Sequence, residues 1–411
     1  MKYIAAIDIG SQTIKAAVAK ITGRDKSLQI LAIHEMETDG IRRGTIIDIN
    51  ETANSISGIL ETLSSLADIR IKEAFIGVSD SQINLRQSEG MIIISRADSE
   101  VTEEDIKRAY QAAETSNISQ NKEIIHTIAK DFSVDDEMSI KNPIGMRGLK
   151  LKINALVVEG LLSSLKNVKR VVELAGVNSS GLIFSPLAGA RAVLNRKQKE
   201  LGVILLDIGA TTSSLLVYKD GEVIHGRVLD IGSVNITNDI AINLKIQTEM
   251  AEKIKIEYGA CLPHLVSKKE IIDFEGLGIN DLKMSRKSLA VIINKRLKEF
   301  SKILTKELSK IDKNFKVPGG IIITGGGAKL PQIETFFKKE LKLSAQIGFP
   351  DKVEGFIDKA NNSAYASLIG LLLCGLDDLG NENGGFSRKF FRSSGEKSRG
   401  FWGQLFKNFL P

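Results

Sequence analysis

The sequence predicts an α/β protein of two related lobes that close on a phosphate-bearing ligand, and three observations carry that reading. An apolar run ending in Asp-Ile-Gly occurs twice, at residues 4–10 and 203–209. Hydroxyl residues follow each copy, Ser11 and Thr13 in the first and Thr211 and Thr212 in the second. A further β-type stretch then begins, at 16–18 and at 215–218. The third observation is an apolar run at 321–323 that ends in Thr324-Gly325-Gly326-Gly327-Ala328.

The chemistry of the repeat explains its residue types. A strand delivering Asp-x-Gly-Ser/Thr into a hairpin places a bare backbone, hydroxyls and amide N–H groups around oxygen atoms. The carboxylate is suited to hold a hydrated Mg²⁺. Two such hairpins facing each other would grip one nucleotide. The triple glycine between a strand and an expected helix gives a flat or phosphorylated ligand a surface of bare backbone. It is neither a Walker A loop, since no Gly-Lys-Ser/Thr follows, nor a Rossmann fingerprint. Singly each motif is weak; their order and separation make the set specific.

Composition narrows the class further. The 411 residues are enough for two or more domains with sizeable cores. Cys261 and Cys374 lie far apart with no metal-type spacing and read as buried thiols of a reducing compartment. The N-terminus enters a strand directly, without a signal-peptide pattern, and the apolar run 367–376 is too short to span a bilayer. Of the net charge of +6, the segment from Phe386 onward carries +5, from six Lys/Arg against Glu396. A nearly neutral body with a basic tail argues against a nucleic-acid binder.

Taken in order, strands and helices alternate over 1–79: the hairpin, a strand near 28–34, a helix near 51–67 and a strand at 73–78. Residues 80–165 read as a separate unit. It has a strand at 90–94, a helix start at Thr102-Glu103-Glu104-Asp105, where a hydroxyl is followed by acids, an apolar stretch at 124–134 and a strand at 150–158. His126, alone in an apolar segment, reads as a structural histidine. A helix runs into Ala175-Gly176, and another starts at Ser185-Pro186. After the second hairpin, helices are expected at 236–244, 249–258 and 288–308, and the helix 363–376 closes the folded part. Residues 377–400 are rich in Gly, Ser, Asn and charge and read as a flexible linker.

These motifs together resemble the actin/Hsp70 superfamily. Asp8-Ile9-Gly10-Ser11 through Lys15 is similar to its phosphate-1 motif, Asp207-Ile208-Gly209-Ala210-Thr211-Thr212 to phosphate-2, and Thr324 to Ala328 to the adenosine motif. The resemblance implies that ATP binds to Gly10, Ser11, Thr13, Lys15, Gly209, Thr211, Thr212, Gly325, Gly326 and Gly327. It also implies that Asp8 and Asp207 hold Mg²⁺ through water, and that Glu252 and Lys255 line the ribose and adenine pocket. Without the resemblance, the last pair reads as a solvated charged helix face.

Two departures stand out. Ala210-Thr211 occupies the place of the family's Gly-Gly-Thr, and Ser185 stands where hydrolysing relatives carry a water-orienting Glu or Gln. A hydroxyl is a poorer base with a shorter reach, so tight ATP binding with slow or negligible hydrolysis is expected.

Within the superfamily, the segment 80–165 and the Gly44-Thr45-Ile46-Ile47-Asp48 run resemble the bacterial cell-division FtsA family. The resemblance implies an actin-like, ribonuclease H-like two-lobed fold with a 1C subdomain and a C-terminal amphipathic helix. Its divisions would be subdomain 1A at 1–79 and 166–197, 1C at 80–165, 2A at 198–229 and 316–376, and 2B at 230–315. A linker at 377–400 and a membrane helix at 401–411 would follow. On a helix of about 100° per residue, Phe401, Trp402, Leu405, Phe406, Phe409 and Leu410 share one half of the surface. With basic residues just upstream, this reads as an interfacial helix for anionic lipid, and the patch 386–392 offers a second contact.

The resemblance further implies head-to-tail self-assembly, later division proteins bound through 1C, and the C-terminal tail of FtsZ bound through Arg286 and Arg296. It places the chain on the cytoplasmic face of the plasma membrane at the septum. On their own, the two arginines read equally as a solvated basic face. Rival readings are a sugar or acetate kinase, which would need a catalytic carboxylate in the cleft, a PilM-type pilus adaptor, which would not need the tail, and an MreB-type filament.

Overall fold

In the computed structural model the described residues are 2–23, 27–116, 121–274, 283–311, 317–351, 353–355 and 362–380. The expected interfacial helix at 401–411, the 386–392 patch and the rest of the expected linker, from residue 381, lie outside them.

The first lobe begins with β1 (Tyr3–Ile9), β2 (Thr13–Thr22) and β3 (Ser27–Glu37), an antiparallel meander. A small hairpin of β4 (Ile41–Arg42) and β5 (Thr45–Ile46) leads to α1 (Ile49–Ala67). Asp48 caps α1 by accepting the Glu51 N–H, which meets one of the donors a helix start leaves open. α1 buries Ile56, Ile59 and Leu63 against the sheet, and β6 (Glu73–Val78) pairs parallel with β1.

An inserted unit follows: β7 (Asn84–Ile93), α2 (Glu103–Thr115), β8 (Lys122–Val134), β9 (Glu137–Ile140) and β10 (Lys150–Leu161). Its strands form a separate sheet, β7-β10-β8-β9. The core of α2 against this sheet includes Ala109, Ala113, Phe132, Leu151 and Ile153. Asp105 accepts hydrogen bonds from both the N–H and the hydroxyl of Thr102, so the acid expected at the helix start closes the cap. Glu159 is buried on β10 and pairs with Arg86 of β7 and Lys122 of β8, holding three strands in register.

The chain returns through α3 (Leu162–Leu174), β11 (Asn178–Phe184), α4 (Ser185–Val193) and α5 (Arg196–Leu201) to the second lobe. There β12 (Val203–Ile208), β13 (Ser213–Lys219) and β14 (Glu222–Leu229) form a second meander. Helices α6 (Ser233–Leu244) and α7 (Thr248–Tyr258), the ribbon β15 (Ile271–Asp273) and β16 (Lys283–Ser285), and α8 (Arg286–Leu308) follow. The described residues continue through β17 (Ile321–Thr324), α9 (Ile333–Leu341), β18 (Ala345–Ile347), β19 (Glu354–Gly355) and α10 (Ala366–Gly380).

The two main sheets have one plan. The first runs β3-β2-β1-β6-β11 and the second β14-β13-β12-β17-β18, each an antiparallel meander extended by parallel strands. The repeat seen in sequence is therefore a repeat of architecture.

The structure adds three details to the sequence-based divisions. Residues 316–376 do not belong wholly to the second lobe. β19 pairs with β3 of the first sheet, and α10 buries Leu368, Leu371 and Leu372 against Ile4, Ala6, Ala17 and Leu28 of the first lobe. α4 shares cores with both halves, Leu187 and Ala190 lying in one that includes Leu205, Leu216 and Tyr218 of the second lobe and Ala188 and Ala192 in one with Ile4 and Ala6 of the first. α10 thus covers the first sheet, and α4, packed along α10, touches both halves. Second, α10 continues past residue 376 into the stretch read as linker; Arg191 holds Asp377 through two hydrogen bonds of 2.8 and 3.1 Å. Third, the glycine turn leads into a 3₁₀ turn, Gly326–Lys329, before α9 begins at Ile333; Pro331 cannot continue the first turn into a helix.

The inserted unit also touches the second lobe. Lys141 bonds Glu222 at 2.9 Å, and a Cβ at Gly226 would lie 2.5 Å from Leu85.

Candidate functional site

The two hairpins face each other across a cleft of about 410 Å³ that contains most of the residues the motifs single out. β1 delivers Asp8 and β12 delivers Asp207 to its floor, each on the last turn of a buried strand. The next glycines meet their own hairpins in the same way: a Cβ at Gly10 would lie 2.5 Å from the Thr13 carbonyl oxygen, and one at Gly209 2.7 Å from that of Thr212. Ser11, Thr13, Lys15 and Thr212 complete the phosphate end of the wall. Thr211 is not on the wall, but its hydroxyl is buried and, among the described residues, has no hydrogen-bond partner. A buried hydroxyl left so costs free energy, which fits a loop built to receive another acceptor.

The third glycine motif closes on the second hairpin. Gly325 has φ +84°, and a Cβ there would lie 2.4 Å from Asp207 Oδ1, so only glycine lets this turn pass beneath the carboxylate. Gly326 and Gly327 form the wall above it.

The aspartates are oriented by serines. Ser185, in the first turn of α4, donates to Asp8 Oδ1 at 3.0 Å, and Ser367, in the first turn of α10, donates to Asp207 Oδ2 at 3.1 Å. Burial raises both carboxyl pKa values. That of Asp207 reaches about 6, with the nearby Asp8 charge adding to burial and Lys15 opposing it; Lys15 and Ser185 offset the rise at Asp8. Two buried, mutually repelling carboxylates form a donor set that suits a hard divalent cation. The hydroxyls and bare amides around them suit the phosphates it would accompany.

Lys15 reaches across the cleft. Its ammonium donates to the Ala364 carbonyl at 2.8 Å and lies 5.6 Å from the centre of the Tyr365 ring. A second cross-lobe bond joins the Ser79 and Ser214 hydroxyls at 3.1 Å.

At the helical end, Lys255 is buried and donates to Glu252 at 2.7 Å, to Thr237 at 2.9 Å and to the Ser233 carbonyl at 3.3 Å. Thr237 also donates to Glu252. Burial lowers the Lys255 pKa, and the Glu252 carboxylate opposes that. The pair is therefore not a solvated face: it forms a cleft wall pinning α6 to α7.

The two arginines part company. Arg286 lies off the cleft, donating to the Tyr258 carbonyl at 3.0 Å and to Glu270 at 2.9 Å. Arg296 is a cleft residue. Asp239 takes its Nε and Nη2 donors at 2.6 Å each, and Glu299 takes Nη1 at 2.7 Å.

Sequence reasoning did not single out Ser367, Thr237, Ser79 or Ser214. For Ser367 a signal existed: it opens the helix after the second lobe as Ser185 opens the helix after the first. The other three carry no motif and enter the site only through folding. His126 is buried in β8, and its Nε2 accepts the Phe184 N–H at 3.0 Å, immediately before Ser185. Burial pushes its ring pKa down to about 3, so it is a neutral structural group that fixes the start of α4.

Comparison with known proteins agrees with this geometry. The family described as "Cell division protein FtsA" matches residues 204–370, and "SHS2 domain inserted in FTSA" matches 80–159, the inserted sheet. The chain is 31% identical to cell division protein FtsA of Pseudomonas aeruginosa over 376 residues, covering 91% of this chain and 89% of that protein. It is 32% identical to that of Borreliella burgdorferi over 372 residues, 90% of each. For the Bacillus subtilis protein the identity is 30%, over 85% of this chain and 79% of the relative.

Solved structures share the fold. A chain of the PilM-PilN type IV pilus biogenesis complex has a TM-score of 0.65 at 17% identity, covering 91% of this chain and 98% of that one. MreB5 of Spiroplasma citri bound to ADP has a TM-score of 0.53 at 15% identity, covering 93% and 99%. The fold is actin-like, and the chain belongs to the FtsA family of cell-division proteins.

Proposed function

We propose that this protein is an ATP-binding, self-assembling adaptor that ties FtsZ filaments to the cytoplasmic face of the membrane at the division septum. The observation that carries the nucleotide part is the pairing of Asp8 with Ser185 and Asp207 with Ser367 in one cleft. Asp8 and Asp207 would hold Mg²⁺ through water, and the cation would neutralise phosphate charge. Lys15, Ser11, Thr13 and Thr212 bind and orient the phosphates. Gly325 to Gly327 receive the nucleoside, and Glu252 and Lys255 receive its ribose.

Ser185 stands where a hydrolysing relative needs a water-orienting Glu or Gln, and its only proton is given to Asp8. Hydrolysis is therefore slow, and the nucleotide serves mainly to fix the angle between the lobes. The same feature disfavours a sugar or acetate kinase: apart from Asp8, Asp207 and the lysine-paired Glu252, the cleft wall carries no carboxylate among the described residues.

Membrane contact is assigned to the amphipathic stretch 401–411, supported by its one-sided aromatic pattern and the basic residues before it. Among the described residues no helix is long and apolar enough to cross a bilayer. The FtsZ tail is assigned to the region of Arg286, where Ile271, opposite Ser285 across the β15–β16 ribbon, is 60% exposed. A basic anchor beside exposed apolar surface suits an acidic, partly apolar tail. Arg296, its fork held by Asp239 and Glu299, is assigned to the same tail as a second basic contact. Later division proteins are assigned to the inserted 1C sheet.

Co-sedimentation tests the assignment: full-length chain, FtsZ and anionic phospholipid vesicles with ATP, against a chain ending at residue 385. The full chain should carry FtsZ down with the vesicles, whereas the shortened chain should leave it in solution. Equal pelleting by both overturns the membrane assignment.

A further inference from the structure

The inserted unit reaches the cleft through one side chain. His126, on β8 of the insert, is 1% exposed, and its Nε2 accepts the N–H of Phe184 at 3.0 Å. Phe184 ends β11, the outermost strand of the first sheet on that side. It is also the residue from which α4 starts, and no side chain of its own caps the helix. A buried N–H on a sheet edge needs an acceptor from outside the sheet. Here the insert supplies it.

The next residue is Ser185, whose hydroxyl donates to Asp8 Oδ1 at 3.0 Å. Asp8, Gly77 and Ile183 stand in one row across β1, β6 and β11, and Val78 pairs with Phe184 in the next. A Cβ at Gly77 would lie 2.7 Å from Ser185 Oγ and 2.9 Å from Asp8 Oδ1, so the pair rests directly on the β6 backbone. Pro186 fixes the backbone that follows. Ser185 is therefore held from three sides: by β6, by Pro186 and, through Phe184, by His126. Only His126 comes from the insert.

The root of the insert meets the same loop. Gly44 donates its N–H to Ser11 Oγ at 2.9 Å and lies against Ser79 and Asp80, where the insert leaves the first lobe. The Asp80 carboxylate accepts the hydroxyl of Ser164, where the chain returns, at 2.6 Å.

Resting on the reading of the cleft as a nucleotide site, we propose that His126 is a positioning residue for the cation-binding Asp8. It holds the start of α4 so that Ser185 keeps its only proton on Asp8. The seating of the insert and the affinity for Mg-nucleotide then depend on each other. Such coupling is reciprocal: a seated insert favours Mg-nucleotide, and bound Mg-nucleotide tightens the insert.

A double-mutant cycle separates this role from plain core packing. Full-length wild type, His126→Leu, Ser185→Ala and the double variant are titrated with Mg-ATP at a temperature where each is folded by circular dichroism. Leucine fills the space but cannot accept the Phe184 N–H. His126→Leu should weaken binding by about three- to tenfold, up to the loss expected for Ser185→Ala. The double variant should bind no more weakly than Ser185→Ala, because the histidine acts through the serine. His126→Gln, which keeps an acceptor, should bind within about twofold of wild type. In wild type, saturating Mg-ATP should also slow amide hydrogen exchange in β8, and in Ser185→Ala it should not. That measurement needs no change at His126 and decides the question if His126→Leu does not fold.

If the two losses multiply in the double variant, if His126→Leu binds like wild type or His126→Gln no better than His126→Leu, or if exchange in β8 ignores the nucleotide, the histidine only fills the core and the inference fails. If wild type does not bind Mg-ATP, the nucleotide reading itself fails, a result distinct from these.

Discussion

Ser185 donates its hydroxyl proton to Asp8 at 3.0 Å. The residue expected from the resemblance at the water-activating position thus serves a carboxylate directly. Ser367 and Asp207 repeat the arrangement in the other half, so the two sides of the cleft are organised as near copies. Removing the donor should loosen the site. Ser185→Ala should weaken Mg-ATP binding by roughly 1.5 kcal/mol, about tenfold, the scale of one hydrogen bond to a charged group. Ser185→Glu, which restores a longer carboxylate, should raise ATP turnover at least tenfold over wild type, since a positioned base contributes typically ~10²–10⁴. A Mg-ATP titration reads the first and a phosphate-release assay the second, and an unchanged rate in Ser185→Glu would mean that something other than this position limits hydrolysis.

The neutral His126 makes the fold acid-sensitive. Its folded-state pKa of about 3 lies well below the ordinary 6.5, so between those values the unfolded chain binds a proton that the folded one does not. Stability therefore falls as the pH drops below about 6.5, by roughly 1.4 kcal/mol per unit, or about 2 kcal/mol by pH 5. His126→Gln keeps an acceptor for the Phe184 N–H and lacks the titration. Urea unfolding at pH 7.5 and pH 5 should show a shallower loss in this variant than in wild type; parallel losses would move the acid sensitivity elsewhere.

The crossing of α4 and α10 depends on glycine at one position only. A Cβ at Gly370 would lie 1.8 Å from the Ala188 carbonyl oxygen, whereas one at Gly189 has nothing nearer than 3.4 Å, Ser367 Oγ. Gly370→Ala should cost stability at or above the top of the roughly 1–3 kcal/mol overpacking range, because backbone cannot yield as a side chain can. Gly189→Ala should leave the melting temperature unchanged or raise it, since alanine is favoured over glycine in a helix by about 1 kcal/mol. Thermal denaturation of the pair checks the contrast.

The partner surface and the cleft should separate genetically. Arg286→Glu should abolish co-sedimentation with FtsZ filaments while ATP titration stays at the wild-type value, because its contacts are Tyr258 and Glu270, off the cleft. Retained co-sedimentation would remove Arg286 from the assignment. Trp402→Glu should abolish binding to anionic vesicles and leave FtsZ binding intact, with vesicle flotation as the readout.

Much of the site was legible because it is local. The Asp-Ile-Gly hairpins, the Thr102–Asp105 cap, and β6 at 73–78 each depend on residues a few positions apart, whose periodicity and turn chemistry act before any tertiary contact. Ser79, Ser214 and Thr237 were not legible: a serine or threonine in an apolar run carries no signal until folding brings a partner 15 to 135 positions away. The surroundings of Arg296 were not legible for a related reason. Its sequence neighbours Lys295 and Lys298 suggest a basic surface, whereas its partner Asp239 lies 57 positions upstream.

The sequence by itself determined that two related halves exist, that each ends a buried strand in an aspartate, and that the third glycine motif accompanies them. These properties follow from short-range geometry, repeated. Tertiary structure alone decided that α10 returns to cover the first sheet while α4 packs between the two halves, since which apolar face a helix covers depends on segments far away in the chain. It also decided that serines from those same two helices orient the aspartates, and that Arg296 faces the cleft. Each of these is a long-range pairing, fixed by the packing of apolar surfaces from distant segments and by the need to satisfy every buried charge.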